Sequence, residues 1–158
     1  MTYLPLVDGR WCYLATWRDA YSRRVVGWHL AAQMPTELVL LALEQALTLR
    51  QPAPGLIIHA DRSSSTPAPL AGPVSPKPGP RPASAGPENS YDNAQAESGW
   101  STLKTELLPH CTAFDSLEEA RLKVAHNLDT YFNLDRRHSA LGYHSPHQIE
   151  HNLKSNPP

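Results

Sequence analysis

Residues Tyr3 to Ala31, YLPLVDGRWCYLATWRDAYSRRVVGWHLA, decide the fold. The run divides into three apolar segments, at 3–7, 11–17 and 23–31. Asp8-Gly9 between the first two is a strong tight-turn signal. The second, Trp-Cys-Tyr-Leu-Ala-Thr-Trp, is rich in residues that suit a pleated surface. A polar turn from Asp19 to Arg23 leads into the third. The pattern predicts an antiparallel meander.

Working outward, Thr36 to Arg50 reads as a helix. Thr36 suits its cap and Glu37 its positive end. Leu38, Leu40, Leu41, Leu43, Leu47 and Leu49 leave few polar faces, which predicts burial on more than one side. Pro52 and Pro54 end the helix. After Gly55, Leu-Ile-Ile-His-Ala-Asp-Arg (56–62) reads as a short buried strand with Asp61 at its end. Functional groups in open α/β sheets gather at strand ends. By pattern alone, this is an α/β protein with a mixed sheet.

Asn89 to Lys104, NSYDNAQAESGWSTLK, predicts a helix start and two or three turns. Asn89, Ser90 or Asp92 suits the cap. Ala94, Trp100, Leu103 and Leu107 share a stripe. Glu97 and Lys104, seven apart, share another face. A further helix is expected from 116 to 134, opened by a Ser116–Glu119 capping box, with Leu117, Ala120, Val124, Leu128, Tyr131 and Phe132 as its apolar stripe. A basic turn at Asp135 to His138 follows, then a short helix for which Pro146 suits the first turn. The tail from Ser155 to Pro158 should fray.

The chain has 158 residues, enough for one domain with a modest core. Its net charge of −1 argues neither for nor against DNA. Cys12 and Cys111 form no metal or redox spacing and suit a reducing cytosol. No apolar run is long enough to span a membrane, and the first residues carry no signal-peptide pattern.

Several of these pieces together resemble the catalytic core of insertion-sequence transposases with an integrase-type DDE site. They are Thr2-Tyr3-Leu4-Pro5, Tyr21-Ser22-Arg23-Arg24-Val25-Val26-Gly27-Trp28, His59-Ala60-Asp61-Arg62, Tyr91-Asp92-Asn93-Ala94 with Glu97-Ser98, Ser101 to Glu106, and Arg137 to Tyr143 with Ser145-Pro146. No one piece is specific; the set is. The resemblance implies a ribonuclease-H-like mixed sheet with flanking helices, here expected to be interrupted by a Pro-rich disordered segment. It divides the chain into an N-terminal half of the core at 1–62, an aberrant segment at 63–88, a C-terminal helical half at 89–150, and a tail at 151–158.

What the family does is implied in the same way. Three carboxylates hold two divalent ions, Mg²⁺ or Mn²⁺, for cleavage and strand transfer of DNA phosphodiesters. Asp61 matches the second carboxylate and Glu97 the third. Lys104 matches a contact to DNA phosphates; Arg136 and Arg137 are further candidates. The first carboxylate should fall directly before the residue aligned with Met1, and the family's N-terminal DNA-binding helices would lie upstream as well. Asp8, in a solvated turn, and Asp19, in a structural one, are not substitutes. Expected partners are transposon-end and target DNA, and further copies of the chain or a full-length transposase; the expected place is the bacterial cytoplasm, on the nucleoid when DNA is bound, with no membrane partner. The competing functions are a non-catalytic DNA- or transposase-binding remnant and a decayed gene product. A zinc site at His138, His144, His147 and His151 is disfavoured by their loose spacing.

Residues 63–88 break the pattern. They hold eight of the sixteen prolines, no aromatic residue, and only Leu70 and Val74 as large aliphatics. The family carries a helix and a strand here, and Pro-rich sequence is expected to form neither. A disordered linker inside a catalytic core would be odd. Out-of-frame translation accounts for it better. The family usually continues Gly-Ser-Gln-Tyr-Thr-Ser after Asp-Arg; codons for Gln-Tyr-Thr-Ser, read one base late, give Ser-Thr-Pro-Ala, the sequence of residues 65–68. Codons for Arg-Pro-Gly, read the same way, give Gly86-Pro87-Glu88. A lost base and a gained base would cancel and preserve the spacing of Asp61 and Glu97.

Overall fold

The computed structural model describes residues 1–33, 36–53, 55–58, 81–82, 90–108 and 113–155. Strands β1 (Thr2–Pro5), β2 (Trp11–Arg18) and β3 (Val25–Ala31) form the expected antiparallel meander in the order β1-β2-β3. Thr2 pairs with Leu14 and Pro5 with Trp11; Tyr13 pairs with Ala31. The Asp8-Gly9 turn closes with Gly9 at φ +82° and its N–H on Leu6 O at 3.0 Å. Glycine takes that left-handed backbone without a Cβ penalty. β3 begins at Val25 rather than 23 because Arg23, at φ +63°, still belongs to the turn. Asp19 organises that turn by accepting the Tyr21 and Ser22 N–H groups at 2.9 Å.

Alternation along β2 builds two layers on the sheet. Cys12 and Leu14 join Leu4, Leu6, Val25 and Leu30 in the larger core, completed by Leu103, Leu107, Val124, Leu128 and Phe132 from the helices and by Phe114 from the connection before α3. Ala15, with Tyr13 and Trp17 beside it, meets Leu38 and Ala42 on the opposite side. Those two belong to α1 (Thr36–Arg50). α1 is not buried all round: Leu38, Ala42, Leu43 and Ala46 are buried, while Leu40, Leu41 and Leu49 are exposed. The sheet covers one stripe, and among the described residues nothing covers the other. α1 lies so close to β3 that a Cβ at Gly27 would sit 2.8 Å from Ala46 N and nearer still to Ala42 O.

The short strand after Gly55 is β4 (Ile57–Ile58), which pairs in parallel with β5 (Arg81–Pro82). The Pro-rich segment therefore does contribute a strand, against expectation. A two-residue edge strand can use the proline carbonyl and does not need its missing N–H. The remainder of 63–88, and Asp61 itself, lie outside the described residues.

α2 (Ser90–Leu107) is an 18-residue helix, longer than the two or three turns predicted. Leu103 and Leu107 are buried and Trp100 packs against them. α3 (Leu117–Ala125) starts at the predicted cap, where Ser116 Oγ accepts the Glu119 N–H at 3.1 Å. From His126 to Asp135 the same helix widens to π winding, ending with Arg136 N on Tyr131 O at 2.7 Å. The wider turn leaves Tyr131 40% exposed, against the predicted stripe, and turns Asn127, Leu128, Phe132 and Asn133 inward. A 3₁₀ turn (Ser139–Leu141) precedes α4 (Pro146–Ser155).

Candidate active site

α2 sets the geometry. Lys104 lies two turns beyond Glu97, so helical spacing puts both on one edge of the helix. Lys104 Nζ stands 4.3 Å from the centroid of the Tyr3 ring on β1. Tyr3 in turn meets Trp11 edge-to-face, with centroids 5.0 Å apart. Both aromatics are about half exposed, so a cation and two rings form an accessible strip beside the C-terminal part of α2. Further along β1, Leu6 bridges Phe114, beyond the C-terminal end of α2.

Arg136 and Arg137 separate sharply. Arg136 Nε donates to Glu106 Oε1 at 2.7 Å, with both side chains 23% exposed, and its guanidinium lies over Phe132. It also meets His138 Nδ1 at 3.1 Å. Arg136 thus ties the segment after the π winding to α2. Arg137 is exposed. His138 stacks edge-on to Phe132; burial first, then the neighbouring Arg136 charge, pushes its pKa down. His147 and His151 stand one turn apart on α4, with ring centroids 6.3 Å apart. Among the described residues, no three His, Cys, Asp or Glu side chains converge as a metal ion would require.

Asp8 and Asp19 hold the structural positions expected of them. Asp8 pairs with Arg10 in the exposed hairpin, where the Arg10 hydrogen bonds lower its pKa. Asp19 caps its turn and lies 3.2 Å from Arg50.

Three buried polar groups escaped sequence reasoning. Glu150 on α4 accepts from Ser22 Oγ and Arg24 Nη1, each at 2.7 Å, and from Arg50 Nη2. Burial alone would raise its pKa, but hydrogen bonds from Arg50, Arg24 and Ser22 prevail and hold it at about 2. Asn133 grips the backbone of Val25 with both ends of its amide, at 2.9 and 3.0 Å. Arg18 lies between α2 and the π winding, with its pKa lowered to about 10 by burial, then by Arg136 and Arg23. The α4 cap did leave a sequence signal: Ser145 and Gln148 make the S-x-x-Q exchange, Ser145 N on Gln148 Oε1 at 2.9 Å.

Helices thus back the meander on both faces, α1 on one and α2 and α3 on the other. Two integrase core domain profiles match, one over residues 1–67 and one over 80–146, and the chain belongs to the integrase core domain family. The first match includes Asp61 and the second Glu97. The chain is 36% identical over 150 residues to the transposase for insertion sequence element IS904 of Lactococcus lactis, covering 95% of this chain and 58% of that one. It is 36% identical over 146 residues to the insertion element IS600 uncharacterized 31 kDa protein of Shigella sonnei, covering 92% and 53%. Transposase InsF for insertion sequence IS3A of Escherichia coli is 34% identical over 160 residues, covering 95% and 51%. The chain spans about half the length of the curated relatives it matches. No solved structure matches it. No described helix is long and apolar enough to cross a membrane.

Proposed function

We propose that this chain is the catalytic-core portion of a DNA transposase and acts at transposon ends. The observation that carries the reading is Lys104, two turns beyond Glu97 on α2, held beside the exposed Tyr3–Trp11 pair. Asp61 and Glu97 are hard oxygen donors, which suit Mg²⁺ or Mn²⁺, and such ions when bound activate the attacking oxygen and stabilise the leaving one. Lys104 supplies a positive charge to a DNA phosphate beside that site, and Arg137 a second. Arg136 serves by holding the Arg137 segment against Glu106.

The chain as it stands binds DNA without joining it. A Pro-rich stretch runs between Asp61 and Glu97, and such sequence does not suit the helix and strand that would hold the two carboxylates together. The test is a labelled transposon-end duplex titrated with the purified chain at several salt concentrations, then incubated with Mg²⁺ or Mn²⁺. Salt-dependent binding is expected, and Lys104→Ala should reduce the log–log salt slope by about one. An unchanged slope removes Lys104 from the interface. Metal-dependent strand transfer by the 158-residue chain contradicts its inactivity. The interruption between the two profile matches also favours a second reading, a binding partner of full-length transposase; co-purification with an active transposase, without cleavage, would select it.

A further inference from the structure

Arg18 ends β2 where the register with β3 slips: Trp17 faces Gly27 but Arg18 faces Val25. Such a bulge re-aims a side chain. The guanidinium runs under α2, with its Cζ 5.6 Å from the Trp100 ring centroid and 5.1 Å from that of Phe132. The third wall is Gly99. A Cβ built there would fall 2.8 Å from Arg18 Cζ and 2.9 Å from Nη2, and nearer still to Nη1. Nε and Nη2 are buried and have no acceptor among the described residues. Ion pairing therefore does not explain why a guanidinium lies here, since a buried unpaired charge is unfavourable. Shape does: a flat fork fills the slot left by a glycine between two aromatic rings.

We propose that Arg18 is a positioning residue: seated in the Gly99 notch, it fixes how α2 docks on the sheet and so where Glu97, two residues away, is held. The part concerning Glu97 rests on the metal-site reading above. No hydrogen bond to Arg18 is needed for this role. What is needed is that Arg18 and Gly99 be mutually dependent.

The experiment is a double-mutant cycle in the 158-residue chain with Arg18→Met, Gly99→Ala and the pair. Hydrogen exchange is followed separately for α2 and α3, and Mn²⁺ affinity by water-proton relaxation. Gly99→Ala alone should speed α2 exchange about tenfold while α3 changes little, because the fork the new methyl meets is penned between Trp100 and Phe132 and cannot swing aside. In the Arg18→Met background the same change should cost no more than about twofold, because the shorter thioether leaves room for the methyl. If Gly99→Ala fails to fold, recovery of a folded chain by adding Arg18→Met is the same result. Equal effects of Gly99→Ala in both backgrounds overturn the proposal. Mn²⁺ affinity should fall with Gly99→Ala and recover in the pair. Coupled exchange with unmoved Mn²⁺ affinity overturns the link to Glu97. Absence of Mn²⁺ binding by the unmodified chain refutes the metal-site reading, while the exchange cycle still decides the seat of α2.

Discussion

Glu150 shows what one side chain does for this fold. Its side chain is 12% exposed and receives Ser22 and Arg24 from the β2–β3 connection and Arg50 from the end of α1. Its carboxyl is held at about 2 against an ordinary 4.5. A depression of that size corresponds to on the order of 3 kcal/mol of folding stability. That contribution is complete above the unfolded value, about pH 4.5, and is lost as pH falls through about 2. Glu150→Gln should therefore lower urea-unfolding stability by about 3 kcal/mol at pH 7, with the gap to the parent narrowing below pH 4.5 and closing near pH 2. A gap independent of pH would mean the carboxylate charge is not what the arginines hold. Asn133 makes a neutral counterpart. Asn133→Leu would strand the N–H and C=O of Val25 and should cost about 2 kcal/mol by the same measurement. Neither role was legible in the sequence. The partners of Glu150 lie 126 and 128 residues away at Arg24 and Ser22, and nothing local marks a carboxylate on a short terminal helix as buried. The Ser116 and Asp19 roles were legible because cap and turn bonds close within a few residues.

At the scale of elements, strand alternation and the apolar stripes of α2 and α3 were readable, and the burial of α1 was not. A strand has two faces, and β2 assigns each residue to one of them. α1 carries leucines all round, so its pattern could not say how many faces the fold would cover; the sheet covers one. The free edge of β3 was equally unreadable. Gln45 Oε1 accepts the Trp28 N–H at 2.7 Å and Asn133 takes Val25, so side chains from two helices blunt an edge that would otherwise invite strand pairing. α1 approaches the backbone of β3 closely at Gly27. Gly27→Ala should cost about 3 kcal/mol, since a methyl there must push a helix backbone away. Adding Ala46→Gly should not restore stability, because the closest obstacle is the backbone oxygen of Ala42. Rescue by that second change would show that side-chain crowding, not backbone approach, sets the α1–sheet distance.

At the scale of the whole molecule, two halves of one core are joined by sequence that does not suit a core. The profile matches stop at residue 67 and resume at 80, inside the Pro-rich stretch at 63–88. β4 and β5 pair over only two residues each. A strand that short adds little cooperative stability, because sheets gain from repeated cross-strand pairs. Out-of-frame translation would account for both the composition and the spacing of Asp61 and Glu97, and as a proposal it makes a strict demand on the nucleotides. Read one base earlier from about codon 63 to codon 88, they should spell an amphipathic helix followed by an apolar strand, without the eight prolines. A chain carrying that restored segment should bury more surface, so its urea m-value should rise above that of the 158-residue chain and its β4 amides should exchange more slowly. If the other frame encodes stop codons or another Pro-rich tract, frame loss is excluded and the segment is an insertion native to this chain. If the restored chain unfolds with an unchanged m-value, the segment does not fold into the core, and the spacing of the two carboxylates has been kept for some other reason.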